Sequence, residues 1–472
     1  MMMTMKSEFI DYIKSILPSH LSLEEFVASC QTPLRKSIRV NTLKISVEDF
    51  QDHVLPQGWI LHPIPWCPEG FWIERTDSTI PLGSTVEHLA GLFYIQEASS
   101  MLPPQALFAD IESPSLVLDM AAAPGSKTTQ MAGLMDNRGC LVANEYSASR
   151  IKSLHANVQR LGVRNVALTH FDAHVFGHYC EASFDAILLD APCGGEGTIR
   201  KDDTALDDWS MQHIESVSAI QFKLIQSAFR ALKVGGHLIY STCTLNTIEN
   251  QQVCYALKEA FPDAVEFCSL AELFDGADQS LTEEGFLHIW PQIYDSEGFF
   301  VAKIRKTREV ESAPDLVKRI KSSAFKPAAR KVIQDLDAYY LQHFGVKPSE
   351  YGTVMCRDQE FWLFPFDFSD IAQHVRYDRV GIRLGQQFKK GFRAHHDAMI
   401  ALPLLTSKMI ELTAEQAQTY LKGQDLVYNS EDFLGECCVS FQGYPLGLVK
   451  ILTHKLKNNL PRHLVKDNMI IN

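Results

Sequence analysis

The chain has 472 residues, of which 46% are hydrophobic and 21% are charged, and its formal net charge at pH 7 is −13. This composition is typical of a soluble globular protein, and at a usual domain size of about 150 residues the length excludes a single core and suggests about three domains. The negative net charge argues weakly against a protein coated in nucleic acid, although contacts to phosphate depend on local patches.

Features of membrane or secreted proteins are not found in the sequence. No apolar run reaches the roughly 18 residues that a membrane-spanning helix needs. The Met-rich start MMMTMKSEF lacks the apolar core of a signal peptide. The 11 cysteines include no CxxC pair and no zinc-like spacing, which favours reduced thiols in the cytosol. We therefore expect a cytoplasmic protein with no membrane association and no bound metal.

The first part of the chain combines a helical pattern with a basic segment. Apolar residues recur at helical spacing from Phe9 to Ile16. Residues 35–44 then hold four basic residues, and on a strand Arg39 and Asn41 would share one face. These side chains would either form a solvated face or contact the phosphates and bases of a nucleic acid, and the sequence leaves both interpretations open.

The stretch from residue 60 to 110 is rich in aromatic residues and turns. It contains an apolar strand that runs into the motif IQEASS (95–100). The polar residues of this motif could cap a helix or border a ligand pocket, and capping is favoured on propensity alone. We assign residues 1–105 to an N-terminal subdomain.

Strand and helix signals alternate from residue 116 to about residue 306, which predicts βαβ units and a parallel sheet. Acidic residues follow or end four of the predicted strands, namely Asp119, Glu145, Asp172 and Asp190. Because parallel strands end at the same edge of a sheet, these acids are expected at one edge, where ligands bind. Glu145 follows Asp119 by 26 residues, close to the spacing of an acid that hydrogen-bonds a ribose.

The stretch LVLDMAAAPGSKTT (116–129) has the order of a strand, a tight turn and a helix start. Its small side chains would let a ligand approach the backbone, and helix amides could face polar groups of that ligand. Taken alone, the stretch is better interpreted as an ordinary βα turn. An NTPase phosphate loop is a poor fit, since Ser126 stands directly before Lys127 in place of glycine, and Met120 and Ala121 occupy the upstream positions.

Two cysteines differ from the others in their surroundings. Cys193 lies in DAPCGGEG (190–197), and Cys243 lies in STCT (241–244). A single cysteine is usually a small core residue. Here each cysteine follows the end of a predicted sheet strand, at the edge where the acids also emerge, so both are candidates for chemistry.

The alternation of strands and helices stops after the predicted sheet. Residues 310–332 are polar, basic and punctuated by prolines, which indicates a linker or a small extra element. Short β-like runs follow, and basic residues cluster at 376–393 and 450–466. We expect a linker with an additional small domain over residues 309–390 and a small mixed or β-barrel-like domain over residues 391–472.

With these motifs in place, the sequence resembles the RNA cytosine-5 methyltransferases that use S-adenosylmethionine. The motifs that carry this resemblance are AAAPGSKTT (121–129), Glu145, Asp172, DAPCGGEG (190–197) and STCT (241–244), with support from RVNTLK (39–44) and IQEASS (95–100). They cover about residues 30–306, and the paired Pro-Cys and Thr-Cys motifs are specific. Gly195 departs from the pattern, because the family commonly has serine there, but no essential role depends on that hydroxyl.

The resemblance implies an α/β fold with a Rossmann-like methyltransferase core over residues 106–308. It also implies that the N-terminal subdomain (1–105) and the additional small domain (309–390) bind RNA. The chain as a whole is most similar to bacterial members that modify the decoding-site helix of small-subunit ribosomal RNA. Those members end in a small RNA-binding domain of PUA type, which residues 391–472 would form here as an α+β or β-barrel-like domain.

The resemblance also implies the roles of the site residues. S-adenosylmethionine would lie along Ala121, Ala122, Ala123, Pro124, Gly125, Ser126 and Lys127. Glu145 would bind the ribose hydroxyls, Asp172 would lie near the adenine amino group, and Asp190 would border both the cofactor and the target base. Cys243 would be the nucleophile, and Cys193 would assist release of the product.

The implied function is methylation of carbon 5 of a cytosine in 16S ribosomal RNA, with the small ribosomal subunit as partner. The basic residues of 35–44, 376–393 and 450–466 would then contact the RNA backbone. Two alternatives remain: the same chemistry on transfer RNA, and a ribosome-assembly factor that binds RNA without catalysis. The presence of Asp190, Cys193 and Cys243 argues against the second alternative.

Overall fold

The computed structural model describes residues 5–312, 324–389, 391–429 and 434–465, which form four β-sheets with helices packed on them. Five basic residues of the predicted linker and RNA-contact segments, namely Lys318, Arg319, Lys321, Lys390 and Lys466, lie outside the described residues. No helix in the described part of the chain is long and apolar enough to cross a membrane.

The N-terminal region is a small antiparallel sheet with four helices. The helices are α1 (Ser7–Ile16), α2 (Leu23–Cys30), α3 (Val47–Val54) and α4 (Val86–Leu89), and the strands are β1 (Ser37–Val40), β2 (Trp59–Ile64), β3 (Cys67–Arg75) and β4 (Phe93–Ile95), in the order β2–β3–β1–β4. The helical spacing of the first residues is confirmed. Phe9 of α1 packs edge-on against Trp209, and Phe26 of α2 packs edge-on against Trp290, so both helices lie on the next domain.

Arg39 is buried and does not form a solvated or RNA-facing surface. Its side chain is only 2% exposed. The guanidinium donates to Gln96 Oε1 at 2.7 Å and to the Ser126 carbonyl at 2.6 Å. It also donates to Thr129 Oγ1 at 2.9 Å, so it ties β1 to the start of the helix that follows the AAAPG loop. Arg39 therefore holds the N-terminal sheet against the central domain.

Asn41 and Lys44 have the same kind of structural role. Asn41 Nδ2 donates to the carbonyls of Gly91 and Leu161, at 2.8 and 2.9 Å. Lys44 Nζ donates to the Arg160 carbonyl at 2.9 Å. Burial and the nearby Arg160 lower the pKa of Lys44 to about 7. The prediction that these two residues contact RNA is therefore wrong, because their polar atoms are engaged by buried carbonyls.

The central domain is built on the largest sheet. Its strands are β5 (Leu116–Asp119), β6 (Cys140–Asn144), β7 (Val166–Thr169), β8 (Phe184–Asp190), β9 (Leu232–Thr242), β10 (Val265–Cys268), β11 (Leu287–Ile289) and β12 (Phe299–Lys306). Its helices are α5 (Leu102–Phe108), α6 (Ser126–Leu134), α7 (Arg150–Arg160), α8 (Phe176–Tyr179), α9 (Met211–Ala231), α10 (Gln251–Ala260) and α11 (Pro291–Tyr294).

The predicted parallel sheet is confirmed. Strands β5 to β9 are parallel in the order β7–β6–β5–β8–β9, and β12 and β10 add antiparallel strands beyond β9. The chain runs outward from β5 to β7 on one side and then from β8 to β9 on the other. The strand order therefore reverses between β5 and β8, and the crevice beyond the carboxyl ends at such a point is the usual ligand site of an open α/β sheet.

Helices cover both faces of this sheet, which explains its near-continuous apolar strands. Leu118 and Leu189 face the apolar core formed with α8, α9 and α10. The alternate residues Val117 and Leu188 face the core formed with α5, α6 and α7. The two packed faces leave the carboxyl edge of the strands as the place where polar side chains emerge.

The third domain is a small antiparallel sheet. Its helices are α12 (Arg330–Phe344) and α13 (His396–Ala401), and its strands are β13 (Lys326–Pro327), β14 (Thr353–Arg357), β15 (Glu360–Phe364), β17 (Ile382–Phe388) and β18 (Gly391–Ala394). The short strand β16 (Arg379–Val380) lies in the same part of the chain but pairs with β7, so it extends the central sheet. The 15-residue helix α12 begins inside the stretch that resembled a linker. Strands β17 and β18 form a hairpin, and the predicted domain boundary between residues 390 and 391 falls inside it.

The basic residues of the segment 376–393 are largely paired with acids. Arg379 pairs with Asp397, which is almost fully buried. Arg383 pairs with Glu360 at 2.7 Å, and Arg393 lies 3.8 Å from Glu436. A cluster that is basic in sequence is therefore largely neutralised in the fold. Arg376 and Lys389 are exposed and have no ion pair among the described residues.

The C-terminal domain is the small mixed domain that the sequence predicted. It contains α14 (Ala414–Leu421) and the strands β19 (Met409–Glu411), β20 (Leu426–Val427), β21 (Gly435–Phe441), β22 (Tyr444–Leu452) and β23 (Lys455–Asn458), in the order β19–β21–β22–β23–β20. Its apolar face shares one core with the N-terminal sheet: Tyr420 and Val439 belong to the same buried cluster as Ile38 and Phe50. The first and last domains of the chain thus stabilise each other.

We expect Arg39→Ala to destabilise the protein. The substitution leaves the Ser126 carbonyl and the Gln96 amide oxygen without their charged donor, and a hydrogen bond to a charged group contributes about 1.5–3 kcal/mol. Thermal unfolding should show a lower midpoint than wild type, whereas Lys36→Ala, an exposed basic neighbour, should leave the midpoint unchanged. An Arg39→Ala variant with a wild-type midpoint and weakened RNA binding would instead place Arg39 on RNA.

Candidate active site

The loop between β5 and α6 lies at the switch point and is held by its neighbours. Gly125 has a φ of +106°, a left-handed conformation that favours glycine, and it directly precedes α6. A Cβ at Gly125 would lie 3.0 Å from Leu154 Cδ1, so the close approach to α7 also requires a small residue. Ala122 N donates to the Asn144 carbonyl at 2.8 Å, which fixes the loop against the end of β6.

Glu145 lies beside this loop, at the end of β6. The residue is 3% exposed, and its Oε2 accepts a hydrogen bond from Ala123 N at 3.2 Å. Its Oε1 accepts from Ser147 N at 2.8 Å, and the Arg150 guanidinium lies 3.8 Å from Oε2. A carboxylate has about four acceptor positions, so Glu145 retains capacity for hydroxyl donors.

Asp172 lies just beyond the end of β7 and is exposed. Its Oδ1 accepts from His174 N at 3.1 Å and also faces the His174 ring. Burial raises the pKa of Asp172, but the hydrogen bonds and charge of His174 outweigh this effect and lower it. The structure therefore places an ionised carboxylate at the same sheet edge as Glu145.

Asp190 and Lys127 form an ion pair at the centre of the crevice. Lys127 Nζ donates to Asp190 Oδ2 at 2.7 Å and to Ser100 Oγ at 2.8 Å. Ser241 Oγ donates to Asp190 Oδ1 at 2.8 Å. Burial opposes the charge on Lys127, but the ion pair with Asp190 outweighs burial and raises the lysine pKa. The side chain of Lys127 thus links the predicted cofactor loop to the end of β8.

The two predicted cysteines meet in the crevice. Cys193 Sγ lies 3.1 Å from Cys243 Sγ, and both side chains are half-buried. The contact with Cys243, burial and the charges of Glu249 and Asp190 raise the pKa of Cys193 well above its usual range. Either sulfur can be the hydrogen donor in this contact, and the raised pKa of Cys193 favours its protonated form.

Asp119 lies below the crevice and is 1% exposed. Thr128 Oγ1 donates to Asp119 Oδ2 at 2.6 Å, whereas Oδ1 is buried and has no hydrogen-bond partner among the described residues. Burial raises the pKa of Asp119 to about 7, although Thr128 and the charge of Lys127 act in the opposite direction. This buried acid next to the ion pair is therefore protonated below neutral pH and ionised above it.

The structure adds residues that the sequence did not assign to the site. The IQEASS motif contributes Ser100 to the ion pair and also Glu97, whose Oε2 accepts from Ser100 N at 3.2 Å. Glu97 Oε1 accepts from Glu297 N at 3.2 Å. Burial and the charge of Glu97 raise the pKa of Glu297 to about 8. The motif therefore borders the crevice, whereas the capping interpretation is wrong, because neither the turn at Ser99–Met101 nor α5 has a side-chain cap at its N-cap residue.

No group of three or more His, Cys, Asp or Glu side chains could hold a metal ion within the ranges that the structure describes. The polar groups of the crevice are instead a carboxylate–ammonium pair, two thiols and several buried acids. Such a set can bind polar ligand groups, carry protons and provide a sulfur nucleophile.

Four family models match the chain and together cover most of it. Residues 106–305 match the model described as 16S rRNA methyltransferase RsmB/F. Residues 5–98 match the N-terminal domain of 16S rRNA methyltransferase RsmF. Residues 325–402 match the pre-PUA domain of ribosomal RNA small subunit methyltransferase F, and residues 407–466 match the PUA domain of methyltransferase RsmF.

Curated proteins are similar to the chain over its full length. A ribosomal RNA small subunit methyltransferase F from Shewanella frigidimarina is 54% identical, with 99% of each chain covered. A protein of the same name from Shewanella oneidensis is also 54% identical, over 100% of this chain and 99% of the other.

Solved structures from Pyrococcus horikoshii share the central fold. A methyltransferase homolog protein is 35% identical and has a TM-score of 0.53, with 64% of this chain and 100% of the other covered. NSun6, solved with SFG, has a TM-score of 0.55 over 64% of this chain and 99% of the other. At 24% identity this second likeness concerns the fold alone.

We expect Asp119→Asn to change how stability depends on pH. The folded pKa of about 7 lies above the ordinary value of 3.8, so between these values the unfolded chain has released a proton that the folded protein still holds. This contribution to stability is present below about pH 3.8 and is lost as the pH rises to about 7. The thermal midpoint of wild type should therefore fall, relative to that of Asp119→Asn, between pH 5 and pH 8.

The exposed Asp136 provides the matched control. Asp136→Asn should keep the same difference from wild type at both pH values. Parallel curves for wild type and Asp119→Asn would mean that Asp119 is ionised throughout this range.

Proposed function

Because the chain belongs to the 16S rRNA methyltransferase RsmB/F family, we propose that it methylates carbon 5 of a cytosine in 16S ribosomal RNA. The methyl donor is S-adenosylmethionine. The observation that carries the proposal is the pair of thiols 3.1 Å apart beside the Lys127–Asp190 ion pair. We assign the target to the decoding-site helix of the small subunit and the enzyme to the cytoplasm, on the resemblance of the whole chain.

The chemistry of cytosine explains why a thiol is needed. Carbon 5 is a weak nucleophile, and it becomes enamine-like only when a nucleophile adds to carbon 6. Covalent catalysis of this kind splits one difficult step into easier ones. We assign the addition to Cys243: its sulfur bonds to carbon 6, carbon 5 accepts the methyl group, the carbon 5 proton leaves, and the S–C6 bond breaks.

Cys193 complements this nucleophile. Its raised pKa keeps the thiol protonated, so Cys193 can donate its hydrogen to the Cys243 thiolate at 3.1 Å. A thiolate that receives a hydrogen bond is stabilised without losing its attacking sulfur. When the S–C6 bond breaks, the same donor stabilises the departing thiolate, which supports a role for Cys193 in product release.

Asp190 has the position and chemistry to act on the cytosine ring. Its two oxygens already accept from Lys127 and Ser241, at 2.7 and 2.8 Å, and a carboxylate retains further acceptor positions. We assign Asp190 to ring nitrogen 3, where it holds or donates a proton and stabilises the adduct. Lys127 is then a positioning residue, because its ammonium fixes the rotamer of this carboxylate.

The residues of the crevice fit S-adenosylmethionine, which supplies the methyl group when it is bound. The loop from Ala121 to Lys127 exposes backbone around the left-handed Gly125, where a ligand can approach closely. The buried Glu145 beside the loop suits ribose hydroxyls, and we assign Asp172 to the adenine amino group. These residues would bind and orient the donor, and the ion pair of Lys127 with Asp190 joins this loop to the end of β8.

The target base must leave its stack for a thiol to reach carbon 6. We assign RNA binding to the N-terminal and C-terminal domains. In the C-terminal sheet, Lys450 and Lys457 lie directly opposite each other on β22 and β23, and both are exposed. Like charges at such positions repel, so a phosphate between them would be favourable.

Cysteine variants test the chemistry. Cys243→Ala should abolish methylation of 16S RNA while leaving S-adenosylmethionine binding intact, because the nucleophile is lost and the cofactor loop is not.

Cys193→Ala should accumulate a covalent protein–RNA adduct, seen as a slow band on a denaturing gel, because release of the product is impaired. The half-buried Cys268, which lies on β10, provides a control: Cys268→Ala should behave as wild type.

Two outcomes would contradict these roles. Retained turnover by Cys243→Ala would remove Cys243 as the nucleophile, and an adduct trapped only by Cys243→Ala would exchange the two roles. Bisulfite mapping of the product tests the substrate assignment, since methylation of transfer RNA alone would contradict 16S RNA as the target.

The paired lysines of the C-terminal sheet give a second test. The double variant Lys450→Gln/Lys457→Gln should bind RNA more weakly, and each lost phosphate contact should lower the slope of log K against log salt by about 0.7–0.9. Lys455→Gln is the matched control, because Lys455 pairs with Asp425 at 2.7 Å and should contribute less. Equal losses in both variants would indicate that the binding surface lies elsewhere.

A further inference from the structure

Two glutamates lie next to the thiols and are not part of the assigned chemistry. Glu196 belongs to the loop that carries Cys193, and Glu249 follows the segment that carries Cys243. Glu196 is 1% exposed and Glu249 is 0% exposed. Burial of a carboxyl group raises the free energy of the folded protein unless hydrogen bonds compensate for the lost water. The hydrogen-bond partners of the two glutamates therefore indicate their roles.

Glu196 holds the segment of the other cysteine. Its Oε1 accepts from the Thr244 hydroxyl, the residue directly after Cys243. The same oxygen accepts from Leu245 N at 3.2 Å and from Asn246 N at 3.0 Å. The acid on the Cys193 loop therefore fixes the backbone immediately after Cys243.

Glu249 makes the reciprocal connection. Its Oε2 accepts from Gly194 N at 2.9 Å, which fixes the backbone immediately after Cys193. The same oxygen accepts from Gln221 Nε2 at 2.7 Å, and Gln221 also donates to the Pro192 carbonyl at 2.9 Å. Glu249 thus anchors the Cys193 loop to α9 as well as to its own segment.

Asn246 joins the two acids. Its Nδ2 donates to Glu196 Oε1 at 2.8 Å and to Glu249 Oε1 at 2.7 Å. A Cβ at Gly194 would lie 2.8 Å from Glu249 Oε1 and 3.1 Å from Glu196 Oε2, so both carboxyl groups converge on this glycine. A side chain at position 194 would separate the loop from the acids.

The close approach of the two acids affects the pKa of Glu249. Burial and the charge of Glu196 raise the pKa of Glu249 to about 7. Glu196 Oε1 faces four donor groups, while Glu196 Oε2 is buried without a partner among the described residues. One proton on Glu249 therefore lets the pair lie side by side without a repulsion of two charges.

We propose that Glu196 and Glu249 are positioning residues whose crossed hydrogen bonds hold the Cys193 and Cys243 sulfurs at hydrogen-bond distance. Glu196 accepts a hydrogen bond from Thr244, which follows Cys243. Glu249 accepts one from Gly194, which follows Cys193, so both acids resist movement of either loop. The importance of this spacing for catalysis rests on the function proposed above. The 3.1 Å distance between the two sulfurs is a property of the fold, so the role of the two glutamates can be tested without measuring methylation.

The test uses two substitutions of Glu249 that separate length from acidity. Glu249→Gln keeps the length and an acceptor for Gly194 and Gln221. Its amide nitrogen cannot accept from Asn246, but Asn246 Nδ2 still has Glu196 Oε1 and Thr244 Oγ1 as acceptors. Glu249→Asp keeps the acid but is one methylene shorter and cannot span the same partners. Glu259→Asp on α10 is the matched control, because Glu259 is exposed.

The first readout is oxidation of the full-length protein by diamide. Diamide takes up the two thiol hydrogens at its N=N bond while a Cys193–Cys243 S–S bond forms, which peptide mass mapping quantifies. Wild type, Glu249→Gln and Glu259→Asp should form this disulfide at similar rates, and Glu249→Asp should form it at least tenfold more slowly.

The second readout is turnover with 16S RNA. A misplacement of about 1 Å costs about 100-fold in rate, so kcat of Glu249→Asp should fall by about that factor. Its KM for S-adenosylmethionine should not change, because the cofactor loop lies apart from these acids. Glu249→Gln should retain most of the wild-type kcat.

The outcomes separate the two proposals. Wild-type rates of disulfide formation and turnover in Glu249→Asp would overturn the positioning role. A larger loss in Glu249→Gln than in Glu249→Asp would also overturn it, since acidity rather than length would then matter. The expected disulfide pattern in a protein that does not methylate RNA would support the positioning role and contradict the proposed function.

Discussion

The Lys127–Asp190 ion pair is the interaction on which the site depends. It joins the first turn of α6 to the end of β8, across the point where the strand order of the sheet reverses. Because both groups are largely buried, the charge of one is tolerable only beside the other. The pair therefore sets the distance between the loop that suits the methyl donor and the carboxylate assigned to the target base. Ser100 and Ser241 fix its two ends.

Buried acids surround this pair and are arranged so that few charges meet. Burial raises the pKa of Asp119 and Glu249 to about 7 and that of Glu297 to about 8. A protonated acid can donate and accept hydrogen bonds without adding charge repulsion to the crevice. The N-terminal and C-terminal sheets share one apolar core, so the two ends of the chain are held together outside the central sheet.

The basic residues show that a pattern of charges along the sequence is not enough to identify which side chains contact RNA. Arg39, Asn41 and Lys44 lie in a segment whose polar pattern suited RNA, yet all three donate to buried protein oxygens. Arg383 and Arg393 lie in a basic cluster, yet each has an acid partner from a distant part of the chain. Whether a cation meets solvent, a carbonyl or a carboxylate depends on contacts between remote segments, which local spacing does not contain.

The sequence by itself determined the parallel sheet, the order of its strands along the chain, and the residues at its carboxyl edge. Strand periodicity and turn residues are local properties, and parallel strands end at one edge, so the pattern alone places Asp119, Asp190, Cys193 and Cys243 together. Only the tertiary structure decided the pairing of Lys127 with Asp190, the contact between the two sulfurs and the crossed bonds of Glu196 and Glu249. Each of those features joins segments that are tens of residues apart in the sequence. The distances between their atoms depend on how the segments pack, and the pKa shifts of the buried groups depend on that packing too.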